Sequence, residues 1–161
     1  MATANTRGAE RLRVAWETHK GRLWRAVLAW SGDPDVASDA VAEAFAQAAR
    51  RGDAVDDVGR WVWRAAFRIA AGMMAAGRRD RTHSAAPESR DADTLPDDVV
   101  ALLDALERLR PDDRAVVVLA HVGGWAAAEI AALTGSTPGA VRVRLHRARR
   151  RLRRELEVRD E

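Results

Sequence analysis

The chain has 161 residues, of which 47% are hydrophobic, enough to build one domain or two small ones around apolar cores. It contains no cysteine, which excludes disulfides, thiolate catalysis and thiolate metal sites. The net charge is only +3, no stretch approaches the roughly 20 apolar residues of a membrane span, and the first residues lack a signal-peptide pattern. We therefore expect a cytoplasmic protein with no direct membrane insertion.

The first half of the chain carries apolar residues at helical spacing and almost no strand signals. A first helix is predicted from about residue 9 to residue 30. Val14, Leu23, Val27 and Trp30 are expected on or near its buried side.

Two more helices are predicted in this half. Asp33 can cap the second helix and Pro34 suits its first position, where the missing N–H costs nothing, and this helix continues to about Arg51. The third helix is predicted from about residue 58 to residue 76. It carries Trp61, Trp63, Phe67 and Ile69. Three helices make one small domain, which we place at residues 1–78.

Residues 79–96 lose the helical periodicity and gain serine, proline, aspartate and threonine. Such a composition cannot bury enough apolar surface to offset the entropy of ordering, so the segment is predicted to be a linker. The expected fold is all-α, with two small helical domains joined by a flexible linker. The second domain covers residues 97–161.

The second domain is predicted to begin with a helix that carries a stripe of apolar residues, followed by another helix that begins at Pro111. The stripe consists of Val99, Leu102, Leu103, Leu106 and Leu109. The helix after Pro111 carries Val116, Leu119 and Ala120, and it is stopped by Gly123 and Gly124.

The segment "WAAAEIAALTGSTPGAVRVRL" has the parts of a helix-turn-helix, which is the predicted class of the C-terminal domain. Its first helix turns Ile130 and Leu133 inward, and Ala131 is small where the two helices meet. Gly135 stands at the turn, where the residue usually takes a positive φ that only glycine adopts without steric cost. Thr137 can cap the second helix, with Pro138 at its first position.

Inward anchors on the second helix leave its opposite face free to bind DNA. The expected anchors are Val141 and Leu145, extended by Ala148 and Leu152. Residues 137–154 contain eight arginines and no acid, so the outward face carries a dense positive field. Candidates for contacts with base edges are Thr137, Arg142, Val143 and His146, and candidates for phosphate contacts are Arg144, Arg147, Arg150 and Arg151.

A basic helix of this kind has two other readings. It can be a solvated surface, or it can lie on an anionic membrane. A membrane helix needs a bulky apolar face, whereas this helix offers only valine, leucine and alanine, which it needs for packing on Ile130 and Leu133. The combination of turn, small residues and arginines favours DNA binding.

These residues resemble a known family. The segment "EIAALTGSTPGAVRVRLHRARRRLRREL" resembles region four of the bacterial sigma factors of the extracytoplasmic-function group, which keep only regions two and four. Upstream, "LLDALERLRPDDRAVVVLAHVGGW" resembles the lead-in to that region. In the first domain, "GDPDVASDAVAEAFAQAARR" and "RWVWRAAFRIA" resemble region two. The resemblance covers about residues 14–156, in the right order and with the linker in the right position.

The resemblance implies that the two domains bind different partners. The helix containing "SDAVAEAF" would dock on the clamp helices of the largest subunit of core RNA polymerase, with Asp39, Glu43 and Gln47 on one face and Val41, Phe45 and Ala48 turned largely inward. From the residues alone, that face reads as a solvated acidic surface. Region four would read the minus thirty-five element of promoter DNA. An anti-sigma factor is implied as a further partner, because many members are held inactive between their two domains.

The same resemblance assigns the loop "RRGDAVDDVG" and the start of the third helix to the minus ten element. Aromatic surfaces and cations hold unstacked bases well. The candidate residues are Arg60, Trp61, Trp63, Arg64 and Arg68. Since tryptophans at helical spacing usually belong to a core, we expect at least one of Trp61 and Trp63 to be buried.

The chain departs from the family pattern at several positions. Arg68 replaces the usual asparagine and Gly72 the usual aspartate on the third helix. In the turn, Thr134 and Ser136 stand where the family usually has apolar residues. Val143 replaces a common serine on the second helix of the helix-turn-helix, a change that can alter promoter choice without abolishing DNA binding.

Three rival classes remain at this stage. An enzyme is disfavoured because the four histidines are dispersed and no phosphate loop, nucleophile motif or metal-ligand spacing occurs, so no catalytic residue, metal, cofactor or small-molecule substrate is expected. A helix-turn-helix regulator would bind DNA without polymerase. A sigma-like interaction protein would bind polymerase without supporting transcription.

Overall fold

The computed structural model describes residues 2–83 and 95–157, and all their regular secondary structure is helical. The chain divides into two compact units, Met1–Pro87 and Glu88–Glu161. The N-terminal unit contains α1 (Ala2–Ser31), α2 (Pro34–Arg51), a short 3-10 helix (Gly52–Ala54) and α3 (Val58–His83). The C-terminal unit contains α4 (Asp97–Glu107), α5 (Pro111–His121), α6 (Ala127–Thr134) and α7 (Pro138–Glu157). The all-α prediction is confirmed.

In the N-terminal unit, α1, α2 and α3 pack against one another in pairs. The predicted cap of α2 is present, because a carboxylate oxygen of Asp33 accepts hydrogen bonds from the backbone N–H groups of Asp35 (2.9 Å) and Val36 (3.3 Å). The core is built from both aliphatic and aromatic side chains. Its largest fully buried members are Leu23, Val27, Val62 and Trp63.

Two predictions for this unit are wrong in detail. Val14 is 49% exposed, because the inward position of that turn of α1 is taken by Ala15, and a neighbouring residue is rotated by about 100° around the helix. The third helix runs on to His83, so residues 79–83 of the predicted linker are helical. Arginines are good helix formers, and Arg78 and Arg79 continue the helix past Gly77. Residues 84–94 of the predicted linker lie outside the described residues, and Leu95 and Pro96 at its end are not helical.

In the C-terminal unit, α7 packs against α4, α5 and α6. Leu103, Leu106 and Leu109 are buried as predicted, whereas Leu102, expected in the same stripe, is 43% exposed. Leu103 and Leu106 lie three residues apart on the inward side of α4 and Leu109 follows in the turn after it, whereas Leu102 is rotated by about 100° from Leu103 around the helix. Val116 to Leu119 of α5 are all buried and supply a large part of the core of this unit.

The turn between α4 and α5 is held by a buried arginine. Nη2 of Arg114 donates hydrogen bonds to the backbone carbonyl oxygens of Glu107 (3.2 Å) and Leu109 (3.4 Å). Within the described residues no helix is long and apolar enough to cross a membrane, and no cluster of three or more potential metal ligands occurs.

Candidate nucleic-acid and polymerase interfaces

The turn between α6 and α7 has the geometry that the sequence predicts. Gly135 lies in the left-handed region, with φ 65° and ψ 32°. The N–H of Ser136 donates to the carbonyl oxygen of Ala131 (3.0 Å), which closes the end of α6. Oγ1 of Thr137 accepts from the N–H of Ala140 (3.2 Å) and so caps α7. The orientation of α7 is therefore fixed at its first residue.

The two helices meet along a buried aliphatic seam. Ile130 and Ala131 of α6 and Val141, Leu145 and Ala148 of α7 are all buried, and Ile130 is 0% exposed. Leu133 and Leu152, also predicted to face inward, are half-buried. The hydroxyl of Thr134, at a position where the family usually has an apolar residue, donates to the carbonyl oxygen of Ile130 (2.8 Å) and is thereby satisfied within α6.

Burial of this seam turns the predicted DNA-facing side chains outward. The exposed side chains are Thr137, Arg142, Val143, His146, Arg147, Arg150 and Arg151. Val143 is 49% exposed, so its methyl groups are accessible to a binding partner. Arg144 is half-buried and is the only predicted phosphate ligand of α7 in a described ion pair.

Some arginines of the C-terminal unit form ion pairs or hydrogen bonds with side chains of neighbouring helices, and others do not. Nη1 of Arg144 lies 3.7 Å from a carboxylate oxygen of Asp112, and Nε of Arg149 donates to Nε2 of His121 (2.9 Å). Arg108 on the turn after α4 bonds Glu155 at 2.6 Å, and this contact lowers the pKa of Glu155. Among the described residues, no ion pair holds the exposed arginines of α7 at 142, 147, 150, 151, 153 and 154, so these six carry most of the positive charge that the helix presents to solvent.

The predicted polymerase-docking residues share one face of α2. Asp39 is exposed, and a carboxylate oxygen of Glu43 accepts hydrogen bonds from Nε2 of Gln47 (2.9 Å) and Nη2 of Arg50 (2.8 Å). These hydrogen bonds, first that from Gln47 and then that from Arg50, lower the pKa of Glu43. Glu43 is therefore held as a carboxylate on a face that offers both acidic and amide groups.

The inward side of α2 faces the core of the unit. Val41, Phe45 and Ala48 are buried, as predicted. The ring of Trp16 on α1 meets that of Phe45 edge to face, with centroids 4.9 Å apart. The predicted docking face thus lies on a helix whose opposite side is packed into the core.

The start of α3 is fixed by two separate contacts. Asp57 caps the helix through a 2.9 Å hydrogen bond from the N–H of Arg60. Arg11 on α1 donates to the carbonyl oxygens of Val55 and Asp56 and so ties down the preceding loop. From this start, Arg60, Arg64 and Arg68 are exposed at spacings of four, which places three guanidinium groups in one row.

The two tryptophans of α3 have different environments. Trp63 is 1% exposed and stacks on Phe67, with ring centroids 6.3 Å apart and planes inclined by 16°. Trp61 is half-buried. Trp63 is thus the buried member of the pair, and its ring offers no face for a base in this conformation. The prediction that Trp63 contacts DNA is replaced by a core role, because the position faces the helices that cover it.

His19 on α1 is the polar partner of Trp63. Nε1 of Trp63 donates a 3.3 Å hydrogen bond to Nδ1 of His19, and a tryptophan N–H can only donate, so His19 must be neutral at that nitrogen. The pKa of His19 is lowered, first by burial and then by the charge of Arg22, against a smaller opposing effect of Asp57.

This contact predicts a pH dependence of stability. With the pKa of His19 lower in the folded state than its usual 6.5, the unfolded chain binds more protons between the two values, and the free energy of unfolding rises with pH there. The stability that neutral His19 contributes is present above about pH 6.5. It is lost as the pH falls through the lowered pKa that His19 has in the folded state. Melting curves of the N-terminal unit between about pH 5 and about pH 8 should show this loss, and His19→Gln should remove it. An unchanged profile in that variant would contradict the assignment.

Two side chains that position the candidate residues of the N-terminal unit were not predicted from the sequence. Arg11 and His19 act on residues 44 positions away along the chain, so no local pattern marks them. Arg51 belongs to the loop "RRGDAVDDVG" that the resemblance assigns to the minus ten element, although it was not among the named candidate residues, and its guanidinium carbon lies 5.4 Å from the centroid of the Trp61 ring. Its contact with Trp61 depends on how the chain turns back after α2.

Comparison with known proteins adds independent information. Residues 100–152 match the family described as "Sigma-70, region 4". The chain is 32% identical over 157 residues to the ECF RNA polymerase sigma factor SigL of Mycobacterium tuberculosis, covering 91% of this chain and 89% of SigL. It is 49% identical over 80 residues to the RNA polymerase sigma factor CarQ of Myxococcus xanthus, covering 47% of this chain and 44% of CarQ.

A solved structure shares the fold. The sigma factor RpoE of Bartonella quintana, crystallised in complex with the anti-sigma factor NepR, superposes with a TM-score of 0.75 at 21% identity, over 91% of this chain and 96% of RpoE. The similarity to SigL spans both helical units, and the region 4 match lies on the helix-turn-helix. The chain therefore belongs to the family of extracytoplasmic-function (ECF) RNA polymerase sigma factors, which are transcription regulators.

Proposed function

We propose that this chain binds core RNA polymerase and directs it to specific promoters, where it assists initiation. The observation that carries the proposal is the outward face of α7, where six exposed arginines without described ion pairs accompany a 49% exposed valine on a rigidly capped helix. In this proposal, Thr137, Arg142, Val143 and His146 contact base edges of the minus thirty-five element. Phosphates are bound by Arg144, Arg147, Arg150 and Arg151.

The N-terminal unit supplies the other two contacts of the proposal. The face of α2 with Asp39, Glu43 and Gln47 docks on the clamp helices of the largest polymerase subunit. The start of α3 binds the minus ten element through Arg60, Trp61, Arg64 and Arg68, since exposed cations beside a half-buried ring suit an unstacked strand. Trp63 is left out because it is buried.

The chain itself supplies binding energy and no covalent chemistry, which belongs to the polymerase. Its place of action is the cytoplasm, where bacterial polymerase and promoter DNA are found. The RpoE structure was solved with an anti-sigma factor, and we extend that kind of partner to this chain. Purification of the tagged chain from its own cells should yield an inhibitor besides polymerase subunits, and polymerase subunits alone would count against this partner.

Reconstituted run-off transcription tests the proposed function. Core polymerase with the chain should produce transcripts from a subset of genomic fragments, and polymerase alone should not. A regulator would bind fragments without making transcription depend on it. A sigma-like interaction module would bind polymerase yet produce no transcripts. The departures from the family pattern at Arg68 and Gly72 lend some support to this alternative.

The docking face is tested in the same reconstitution. Asp39→Arg should weaken retention of the chain on immobilised polymerase and leave its affinity for duplex DNA unchanged. Glu17→Arg is the matched control, since Glu17 is an exposed acid of the same unit that pairs with Arg13 on α1. Equal losses in both variants would mean that general acidity, and not the face of α2, binds polymerase.

The two roles assigned along α7 predict different DNA-binding defects. Arg142→Ala should weaken binding by about 1–3 kcal/mol in a sequence-dependent way, because a guanidinium paired with a base edge discriminates among sequences. Arg150→Ala should weaken binding to all duplexes similarly and reduce the salt slope by about 0.9, because one phosphate contact is lost. Binding titrations on selected and scrambled duplexes at several salt concentrations separate the two. Equal losses on every sequence for both variants would refute the assignment.

A further inference from the structure

One flank of α7 carries a row of three arginines, of which only the first is in an ion pair. Arg144, Arg147 and Arg151 follow one another at spacings of three and four, so they lie on the same side of the helix. Arg147 and Arg151 are exposed, and no ion pair between described residues holds either of them. Nη1 of Arg144, in contrast, lies 3.7 Å from a carboxylate oxygen of Asp112 on α5. The ion pair therefore holds the arginine of this row that lies nearest to the start of α7.

The carboxylate of Asp112 is kept in place by α5 and does not depend on Arg144. Asp112 directly follows Pro111 in the first turn of α5, where the helix dipole favours a negative charge. The buried side chains from Val116 to Leu119 anchor that helix in the core of the unit. The side chain of Asp112 is 79% exposed, so water can hydrate the carboxylate when the arginine leaves. Asp112 is thus a stationary anion that competes with DNA for Arg144.

The ion pair is weak enough for a well-placed phosphate to break it. Ion pairs between exposed side chains contribute little, and 3.7 Å is longer than a charge-assisted hydrogen bond of about 2.7–2.9 Å. Contacts with base edges hold α7 at a constant depth and register in the groove, so that one phosphate stays beside Arg144 and can accept such short bonds. On a duplex that α7 does not recognise, no phosphate has a constant position relative to the helix, and salt screens the attraction. There the carboxylate keeps the arginine.

We propose that Asp112 is a positioning residue that withholds Arg144 from DNA until α7 has recognised its base sequence. Asp112 lowers the affinity for duplexes of other sequences, because it removes one phosphate contact from binding that depends on phosphate contacts alone. On a recognised duplex the phosphate displaces the carboxylate, and the affinity changes little. Asp112 thereby raises the ratio of specific to non-specific affinity without touching a base. This inference rests on the proposed function, because α7 must read promoter DNA, and it adds a determinant of sequence discrimination on α5.

The test measures the affinity of the full chain for two fluorescein-labelled duplexes of about 20 base pairs, or two turns of DNA, at several salt concentrations. One duplex is selected from a random library by binding to the wild-type chain, and the other is its scrambled version. Asp112→Asn should bind the scrambled duplex about threefold more tightly, with a salt slope steeper by about 0.9. Its affinity for the selected duplex should change by less than about 1.5-fold. Asp112→Glu should stay close to the wild type, because it keeps the carboxylate.

Asp113→Asn is the matched control, because it removes the same charge from the next residue of α5, which takes part in no ion pair among the described residues. It should leave both affinities close to those of the wild type. In an Arg144→Ala background, Asp112→Asn should have no further effect on the scrambled duplex, since no arginine remains to be released. An effect that persists in this background, or an equal gain in Asp113→Asn, would mean that Asp112 only repels DNA in a general way. Either result overturns the inference.

The ratio of the two affinities separates this inference from the proposed function. If the wild-type chain prefers the selected duplex and Asp112→Asn keeps the same ratio, the inference is wrong and the proposed function stands. A wild-type chain that binds both duplexes equally overturns the inference as well. Failure of the proposed function appears separately, as absent run-off transcripts.

Discussion

Replacing Ile130 by alanine is expected to lower the free energy of unfolding of the C-terminal unit by about 2–5 kcal/mol. Ile130 is completely buried where α6 meets α7, opposite a seam that includes Val141 and Leu145. The substitution removes three methyl or methylene carbons and leaves a cavity that rigid neighbouring helices cannot fill. Hydrogen exchange of the α6 and α7 amides in increasing urea measures this loss in the full chain.

Leu102→Ala provides the matched control for this experiment. Leu102 is an aliphatic residue of the same unit but is 43% exposed, so its truncation should change stability much less. Duplex binding should fall in the Ile130→Ala variant where the helix-turn-helix is unfolded and remain unchanged in the Leu102→Ala variant. Similar stability losses in the two variants would show that the buried seam does not hold α7 in place.

The second large effect is expected from Trp63→Ala, which should destabilise the N-terminal unit by about 3–5 kcal/mol. The ring of Trp63 is 1% exposed, stacks on Phe67 and bonds His19, so its removal opens a large cavity and breaks a polar contact. Trp63→Phe should cost less, since it keeps most of the ring volume and loses the hydrogen bond, worth about 1 kcal/mol. Hydrogen exchange of the α3 amides in urea measures both changes.

Trp61→Ala is the matched comparison, two residues away on the same helix. Since Trp61 is half-buried, its loss should destabilise the unit less while reducing single-strand affinity. The pair of variants therefore separates stability from DNA binding. The core assignment of Trp63 would be wrong if Trp63→Ala kept wild-type stability and lost single-strand binding.

Local chemistry made the helix-turn-helix predictable. Gly135, Thr137 and Pro138 set the turn through a positive φ, a side-chain cap and a fixed helical φ, and each of these depends on residues within four positions. The same is true of Asp33 at the start of α2. The outward position of the α7 arginines then followed from the 3.6-residue period, once the inward side was known.

The periodicity was less reliable where a helix has two plausible inward sides. Val14 and Leu102 both adjoin buried residues and were placed on the wrong side of the boundary between core and surface. At the edge of a buried helix face, consecutive residues differ by about 100° around the helix axis, so one can be buried and the next exposed. The packing of the neighbouring helices decides which of the two is buried. The same holds for Trp61 and Trp63, of which the sequence predicted only that at least one would be buried.

By itself, the sequence determined the all-helical class, the caps and turn of the helix-turn-helix, and the positive face of α7, because each depends on side chains a few residues apart. Only the tertiary structure decided that Trp63 belongs to the core, that His19 accepts its hydrogen bond, and that Arg51 lies over Trp61. Those contacts join different helices, so they exist only once the packing of α1, α2 and α3 has fixed which sides of the helices meet.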